Sequence, residues 1–142
     1  MPTDNARASV DVDAPPETVV AVVRDVAAYP EWVKGFTEAE VLETDEDGEA
    51  SRARLSIALG IGNDTFEVEI TPTSDGLTWE LMEPTKLQKA HRAAFTVEPR
   101  DQGSRLTLDL TVEHTLSAPG FLRRKVFGSF VQDAIGGVRP RV

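Results

Sequence analysis

The hydrophobic rhythm of this chain changes once, between residues 115 and 119. Before the change, apolar and polar residues alternate in short runs, the period of strands with one buried face. After it, apolar residues recur every three or four positions, the period of a helix. Residues 52–59 place Ala53, Leu55, Ile57 and Leu59 on one face, and 65–70 set Phe66, Val68 and Ile70 against Glu67 and Glu69. Leu77, Trp79 and Leu81 make the next inward row, followed by Phe95 and Val97 within 90–98 and by Leu106, Leu108 and Leu110 within 106–115. Turn formers separate the runs at 60–64 and at Thr73-Ser74-Asp75-Gly76, with a looser connection around Glu83-Pro84-Thr85 and a turn over 99–104. The two glycines in 60–64 read as turn residues, because no helix follows them as a phosphate-binding loop requires.

Upstream, 6–12 alternates about Val10 and Val12 and predicts a first strand, and 39–44 predicts another that ends at the hairpin signal Asp45-Glu46-Asp47-Gly48. Between them, Asp13-Ala14-Pro15-Pro16-Glu17 supplies a helix start: an aspartate to cap, prolines in the first turn and an acid near the positive helix end. The helix continues over 18–27 with Val19, Val22, Val23 and Val26 on one side. These β-branched residues are poor helix formers, so burial must hold them. Tyr29-Pro30 breaks this helix, and 31–36 predicts a short second helix or turn.

The order is strand, helix, short helix, six strands and a long helix, which predicts an α+β domain whose seven strands pair mostly as antiparallel hairpins. The last helix, 119–138, carries Phe121, Leu122, Val126, Phe127, Phe130, Val131, Ala134 and Ile135 in a broad apolar stripe that must lie on the concave face of the sheet. Gly136-Gly137 and Pro140 mark a fraying end. No repeat, linker or low-complexity tract interrupts the pattern, so 1–142 reads as a single domain. A curved sheet holding one helix is a container plan.

Composition narrows what it contains. A formal net charge of −9 opposes binding to nucleic acid, which relies on Lys and Arg at phosphates, and weakens adsorption to anionic membranes. No apolar stretch approaches the roughly 20 residues of a membrane span, and the first ten residues lack the pattern of a secretory signal. The chain has no cysteine, which removes disulfides and thiolate chemistry. Together these point to a cytoplasmic protein; a monomer or weak homodimer is expected. One basic cluster, Arg123-Arg124-Lys125, reads as a solvated helix turn or as a docking patch for a membrane or an acidic partner.

Catalytic signatures are sparse. Two histidines, without a helical His-x-x-x-His pair, give too few ligands for a metal, and Glu113 points away from His114 on its strand. No serine sits in a Gly-x-Ser-x-Gly elbow. The predicted inward rows contain no charge. If the last hairpin turns near Gln102 and Gly103, His91 falls opposite His114 at the ends of the strands, near a cavity mouth. Imidazoles there suit either a polar ligand head or proton transfer near neutral pH, or they are rim residues with ordinary hydrogen bonds. Trp32, Phe36, Phe66, Trp79, Phe95, Phe127 and Phe130 fit either a packed core or the lining of an apolar pocket. With Leu55, Ile57, Val68, Leu81, His91, Leu108, Leu110 and His114 they form the expected cavity set.

Val12-Asp13-Ala14-Pro15-Pro16-Glu17-Thr18-Val19, followed by Asp25 and Tyr29-Pro30-Glu31-Trp32, resembles the opening of the polyketide cyclase/dehydrase and START-like lipid-transfer superfamily (SRPBCC). Leu77-x-Trp79-x-Leu81, Gly103-Ser104-Arg105-Leu106-Thr107 and Ala118-Pro119-Gly120-Phe121-Leu122-Arg123-Arg124 resemble its later landmarks. The resemblance spans nearly the whole chain. It implies a helix-grip fold like that of the START proteins and birch allergens, a seven-stranded antiparallel sheet around a long C-terminal helix with a hydrophobic tunnel between them. It further implies binding or transport of a lipid, polyketide, quinone or similar molecule, with no cofactor, or else an aromatase/cyclase or dehydratase in which a cavity histidine is the general acid/base. Here no complete catalytic set matches. Access to the tunnel is expected past 60–64, 83–89 and the helix end. A protein-interaction module using 123–125 over a packed interior is the remaining reading.

Overall fold

The computed structural model describes residues 3–59 and 62–142. Along the chain run β1 (Thr3–Val12), α1 (Pro16–Arg24), a 3₁₀ turn (Val26–Ala28), α2 (Tyr29–Trp32), β2 (Phe36–Thr44), β3 (Ala50–Ala58), β4 (Asn63–Thr73), β5 (Gly76–Leu81), β6 (Gln88–Arg100), β7 (Gly103–His114) and α3 (Gly120–Gly136), with a last 3₁₀ turn at Arg139–Arg141. The seven strands form one sheet in the order β1-β7-β6-β5-β4-β3-β2, and every pair is antiparallel. β2 to β7 are chain neighbours joined by short connections. β1 closes beside β7 after the two short helices. The inward rows read from the alternation are the buried ones: Ala53, Leu55 and Ile57; Phe66, Val68 and Ile70; Phe95 and Val97; Leu106, Leu108 and Leu110. The expected turn over 60–64 begins with two residues that lie outside the described ones.

Several local expectations are corrected. Asp13 does not cap α1: Pro15 holds the N-cap position with no side-chain hydrogen bond, and its carbonyl accepts the Thr18 N–H at 3.0 Å. The helix ends at Arg24, and Val26 is carried instead by the 3₁₀ turn. Tyr29-Pro30 starts α2 rather than merely ending α1, because Pro30 occupies the first turn, where its missing N–H is harmless. The strand β1 begins at Thr3, three residues earlier than its apolar alternation suggested, and this brings Asp4 into the inward row with only 8% exposure.

The last helix also differs from its sequence pattern. Phe121 is 69% exposed, so the first turn of α3 stands off the sheet. The buried face is Phe127, Phe130, Val131, Ala134 and Ile135. Its end is not frayed. A Cβ at Gly137 would collide with the Trp32 carbonyl oxygen, so only glycine lets this end dock on α2, and Val138 just beyond is fully buried.

The β6–β7 hairpin turns one residue earlier than expected, pairing Arg100 with Gly103. His91 is therefore opposite Val112, not His114. A bulge at Lys89 then sets Gln88 across from His114. The displacement along the partner strand is two residues, which preserves the side of the sheet. Both histidines remain inward, 3% and 1% exposed.

Candidate functional site

An internal cleft lies at the histidine end of the grip, between the sheet and α3. Ile57, Leu59, Leu110 and Val112 give its sheet wall, Phe127 and Phe130 its helix wall, and Leu87 and Leu116 close the end. Asp64, Gln88, His91 and His114 are its polar groups. Its volume is about 20 Å³, room for the centre of a water molecule and no more.

The other end of the interior is filled by aromatic packing. The Tyr29 ring lies 5.6 Å from Trp32, 5.8 Å from Phe36, 6.1 Å from Trp79 and 5.9 Å from Phe95, measured between centroids and mostly edge to face. Its hydroxyl donates to the Val23 carbonyl at 2.6 Å, and complete burial raises its pKa well above 10. Of the expected cavity set, Ile57, His91, Leu110, His114, Phe127 and Phe130 face the cleft. Trp32, Phe36, Leu55, Phe66, Val68, Trp79, Phe95 and Leu108 are buried core away from it, and Leu81 is half-buried and does not reach it. Sequence reasoning missed Asp4, Tyr29, Asp64, Leu87, Gln88, Val112 and Leu116. Val112 was legible, two residues past Leu110 on the same strand face. Gln88 was hidden by the bulge, and Tyr29 was read as a helix breaker and a landmark of the resemblance, not as core.

Hydrogen bonding fixes the state of each histidine. The Trp79 indole N–H, which can only donate, reaches His91 Nε2 at 3.0 Å. Nε2 must therefore accept, the proton sits on Nδ1, and it is donated to Gln88 Oε1 at 2.6 Å. Burial among Phe66, Trp79 and Val112 pulls the His91 pKa from 6.5 to about 3. Gln88 Nε2 in turn donates to Asp64 Oδ2 at 2.8 Å, and the Thr85 hydroxyl to the same oxygen at 2.5 Å. A relay of polar contacts thus runs from the aromatic core to the cleft at Asp64.

His114 belongs to a second cluster. Its Nδ1 accepts the Leu116 N–H at 3.2 Å, which places the proton on Nε2, 2.6 Å from Asp4 Oδ2. Arg123 Nε donates to the same Asp4 oxygen at 3.1 Å, and its Nη1 to the Ala118 carbonyl at 2.7 Å. Burial alone would raise the Asp4 pKa, but the hydrogen bonds from His114 and Arg123 and the guanidinium charge outweigh it and hold the carboxyl below 3.8. Arg123 is thus neither a solvated turn residue nor part of a free basic patch; it ties α3 to the edge strand β1. Only Arg124 and Lys125 of that cluster are exposed. The inward rows as read carry no charge, but the strands extend beyond them and there they do: Asp4 in β1, and Asp64 in β4, two residues before Phe66 and in the cleft lining.

A surface groove of about 360 Å³ lies between Leu122, Lys125, Val126, Ser129 and Asp133 on α3 and Lys34, Gly35 and Ala58 on the sheet side. Leu59 and Phe130 line both this groove and the cleft, so they form the partition between them. Gly35 (φ 96°) makes the seat for Phe130: a Cβ there would stand 2.6 Å from the ring.

An antiparallel seven-stranded sheet closed over a C-terminal helix, with its free space between the two, defines a START-like helix-grip protein. The chain belongs to the polyketide cyclase/dehydrase and lipid transport family, whose model matches residues 12–139. It is similar in structure to a START superfamily protein from Mycobacterium smegmatis, with TM-score 0.85, 24% identity and coverage of 97% of this chain and 96% of that one. It also resembles a STAR-related lipid transfer protein from Xanthomonas axonopodis (TM-score 0.69, 17% identity, 95% and 83% covered). A third similar structure is the Zhui aromatase/cyclase from Streptomyces sp. R1128 (TM-score 0.65, 16% identity, 95% and 86% covered). A comparison with curated protein sequences returns no match.

Proposed function

We propose that this protein binds and carries a hydrophobic small molecule, of the lipid, polyketide or quinone type, between the sheet and α3. The observation that carries this reading is the mostly apolar cleft and the adjoining groove, lined by Leu122 and Val126 together with Lys34, Lys125 and Asp133, the two being separated by Leu59 and Phe130. A space of about 20 Å³ holds no lipid. Rotation of Phe130 away from Gly35 would join it to the groove of about 360 Å³, the size range of small-molecule sites. Burial in the joined site would supply affinity at about 25 cal/mol per Å² of apolar surface removed from water. The family description names lipid transport, and the similar Xanthomonas protein is named for lipid transfer.

The second reading, cyclase or dehydratase chemistry, is favoured by the likeness to the Streptomyces aromatase/cyclase and by the Asp4–His114 contact, in which a carboxylate orients an imidazole. A general base, however, needs a nitrogen facing its substrate. Both nitrogens of His91 and both of His114 are engaged by the protein. The carrier reading needs no such nitrogen. Native mass spectrometry of the gently purified protein, alone and with N-phenyl-1-naphthylamine, tests it. A co-purified hydrophobic molecule or stoichiometric uptake of the probe supports carriage. A protein that arrives empty and takes up no apolar probe contradicts it.

A further inference from the structure

We propose that the site selects an uncharged hydrophobic molecule carrying a hydroxyl group, and discriminates against fatty-acid-type anions, with Asp64 as the residue that reads the difference. This rests on the binding reading above.

The argument is a count of unused hydrogen-bonding capacity. His91 has none left: Nε2 accepts from Trp79 and Nδ1–H is given to Gln88. His114 has none either, held between the Leu116 N–H and Asp4. Gln88 spends its carbonyl on His91 and one N–H on Asp64, which leaves one N–H. Asp64 accepts Thr85 and Gln88 at Oδ2 and the Thr65 backbone N–H at Oδ1, 3.0 Å away. An ionised carboxylate has about four acceptor positions, so one remains on Oδ1, while Gln88, bonded to Oδ2 of the same carboxylate, keeps one N–H. That adjacent acceptor and donor match a hydroxyl, which gives one hydrogen bond and takes another.

Charge points the same way. No Lys or Arg is among the described residues lining the cleft. Arg123, which reaches the sheet beside His114, is already paired with Asp4 at 3.1 Å. The lysines of the joined site, Lys34 and Lys125, line the groove and not the cleft. A carboxylate head carried past Phe130 into the cleft would therefore shed its water, meet no cation and face the Asp64 carboxylate. Burying an unpaired charge is among the most unfavourable steps in recognition.

The experiment is displacement of N-phenyl-1-naphthylamine from the intact protein by three ligands of equal chain length: dodecanol, methyl dodecanoate and dodecanoate. At about pH 8, where the free acid is ionised, dodecanol should bind at least about tenfold more tightly than dodecanoate, with the ester between them. Asp64→Asn keeps one acceptor oxygen for Thr85 and Gln88 and replaces the other, with the charge and the open acceptor position, by an NH₂ group. It should narrow the gap between alcohol and acid by about threefold or more. Dodecanoate displacing the probe as well as dodecanol does, or an unchanged ratio in Asp64→Asn, overturns the selectivity while leaving the binding reading intact. A wild-type protein that binds neither probe nor ligands overturns both. The wild-type series decides the matter even where the variant fails to fold.

Discussion

At His91, the indole of Trp79 decides the chemistry. A donor-only N–H on Nε2 forbids protonation there, and complete burial keeps the ring neutral. Its pKa is about 3 in the folded chain, against 6.5 for a free histidine. Between these values the unfolded chain takes up a proton that the folded chain refuses. The contribution of His91 is therefore fully present above pH 6.5 and lost as pH falls toward 3, with a slope of up to about 1.4 kcal/mol per pH unit. Urea unfolding at stepped pH should show this fall, and His91→Phe should flatten it. The same variant strands the Trp79 N–H and the Gln88 carbonyl, so it should be less stable at neutral pH by about 1–3 kcal/mol for each group left unpaired. Unchanged pH dependence in the variant would mean that His91 titrates normally.

At the scale of elements, α3 is held in two different ways. Its second half is packed, through Phe127, Phe130, Val131, Ala134 and Ile135. Its first half is tethered by Arg123 and Asp4, with Phe121 and the neighbouring turn exposed. Asp4→Ala should lower stability by about 1–3 kcal/mol, and should increase amide hydrogen exchange in the first turns of α3 more than near Ala134. The Asp4 carboxyl is held below 3.8, so the tether is complete above that pH and is lost as pH falls further. Phe130 is the movable part of the partition. Phe130→Ala should join groove and cleft permanently, and stopped-flow association of an apolar fluorophore should become faster. Gly35→Ala forces a side chain into a left-handed conformation (φ 96°) and against the Phe130 ring. It should lower the melting temperature, in keeping with a strain of about 1–3 kcal/mol.

Over the whole molecule, the architecture was readable from periodicity because it depends on buried faces, and period-two and helical patterns record those faces directly. The alternation in 52–59, 65–70 and 106–115 placed Leu55, Phe66 and Leu108 correctly without any contact information. The site was less legible because its decisive features are not periodic. Asp4 is polar within an inward row, so the pattern appeared to begin after it. The hairpin turn and the Lys89 bulge together decide that Gln88, rather than His91, sits opposite His114, and neither leaves a hydrophobic signature. The emptiness of a cavity also has no residue of its own. Trp32, Phe36, Trp79 and Phe95 fill one end of the grip around Tyr29, while similar apolar residues bound the free space at the other. What fills the first end is Tyr29 at the start of α2, a residue that no periodic pattern singles out.

The central claim is that a hydrophobic molecule enters between the sheet and α3 past Phe130. The most direct measurement is NMR shift mapping of the labelled protein titrated with dodecanol. Saturable changes centred on Leu59, His91, Val112, Phe127 and Phe130 are predicted, with Phe130 altered most. No saturable change, or changes confined to the outer face of the sheet around Arg52, Arg54 and Glu67, would contradict it.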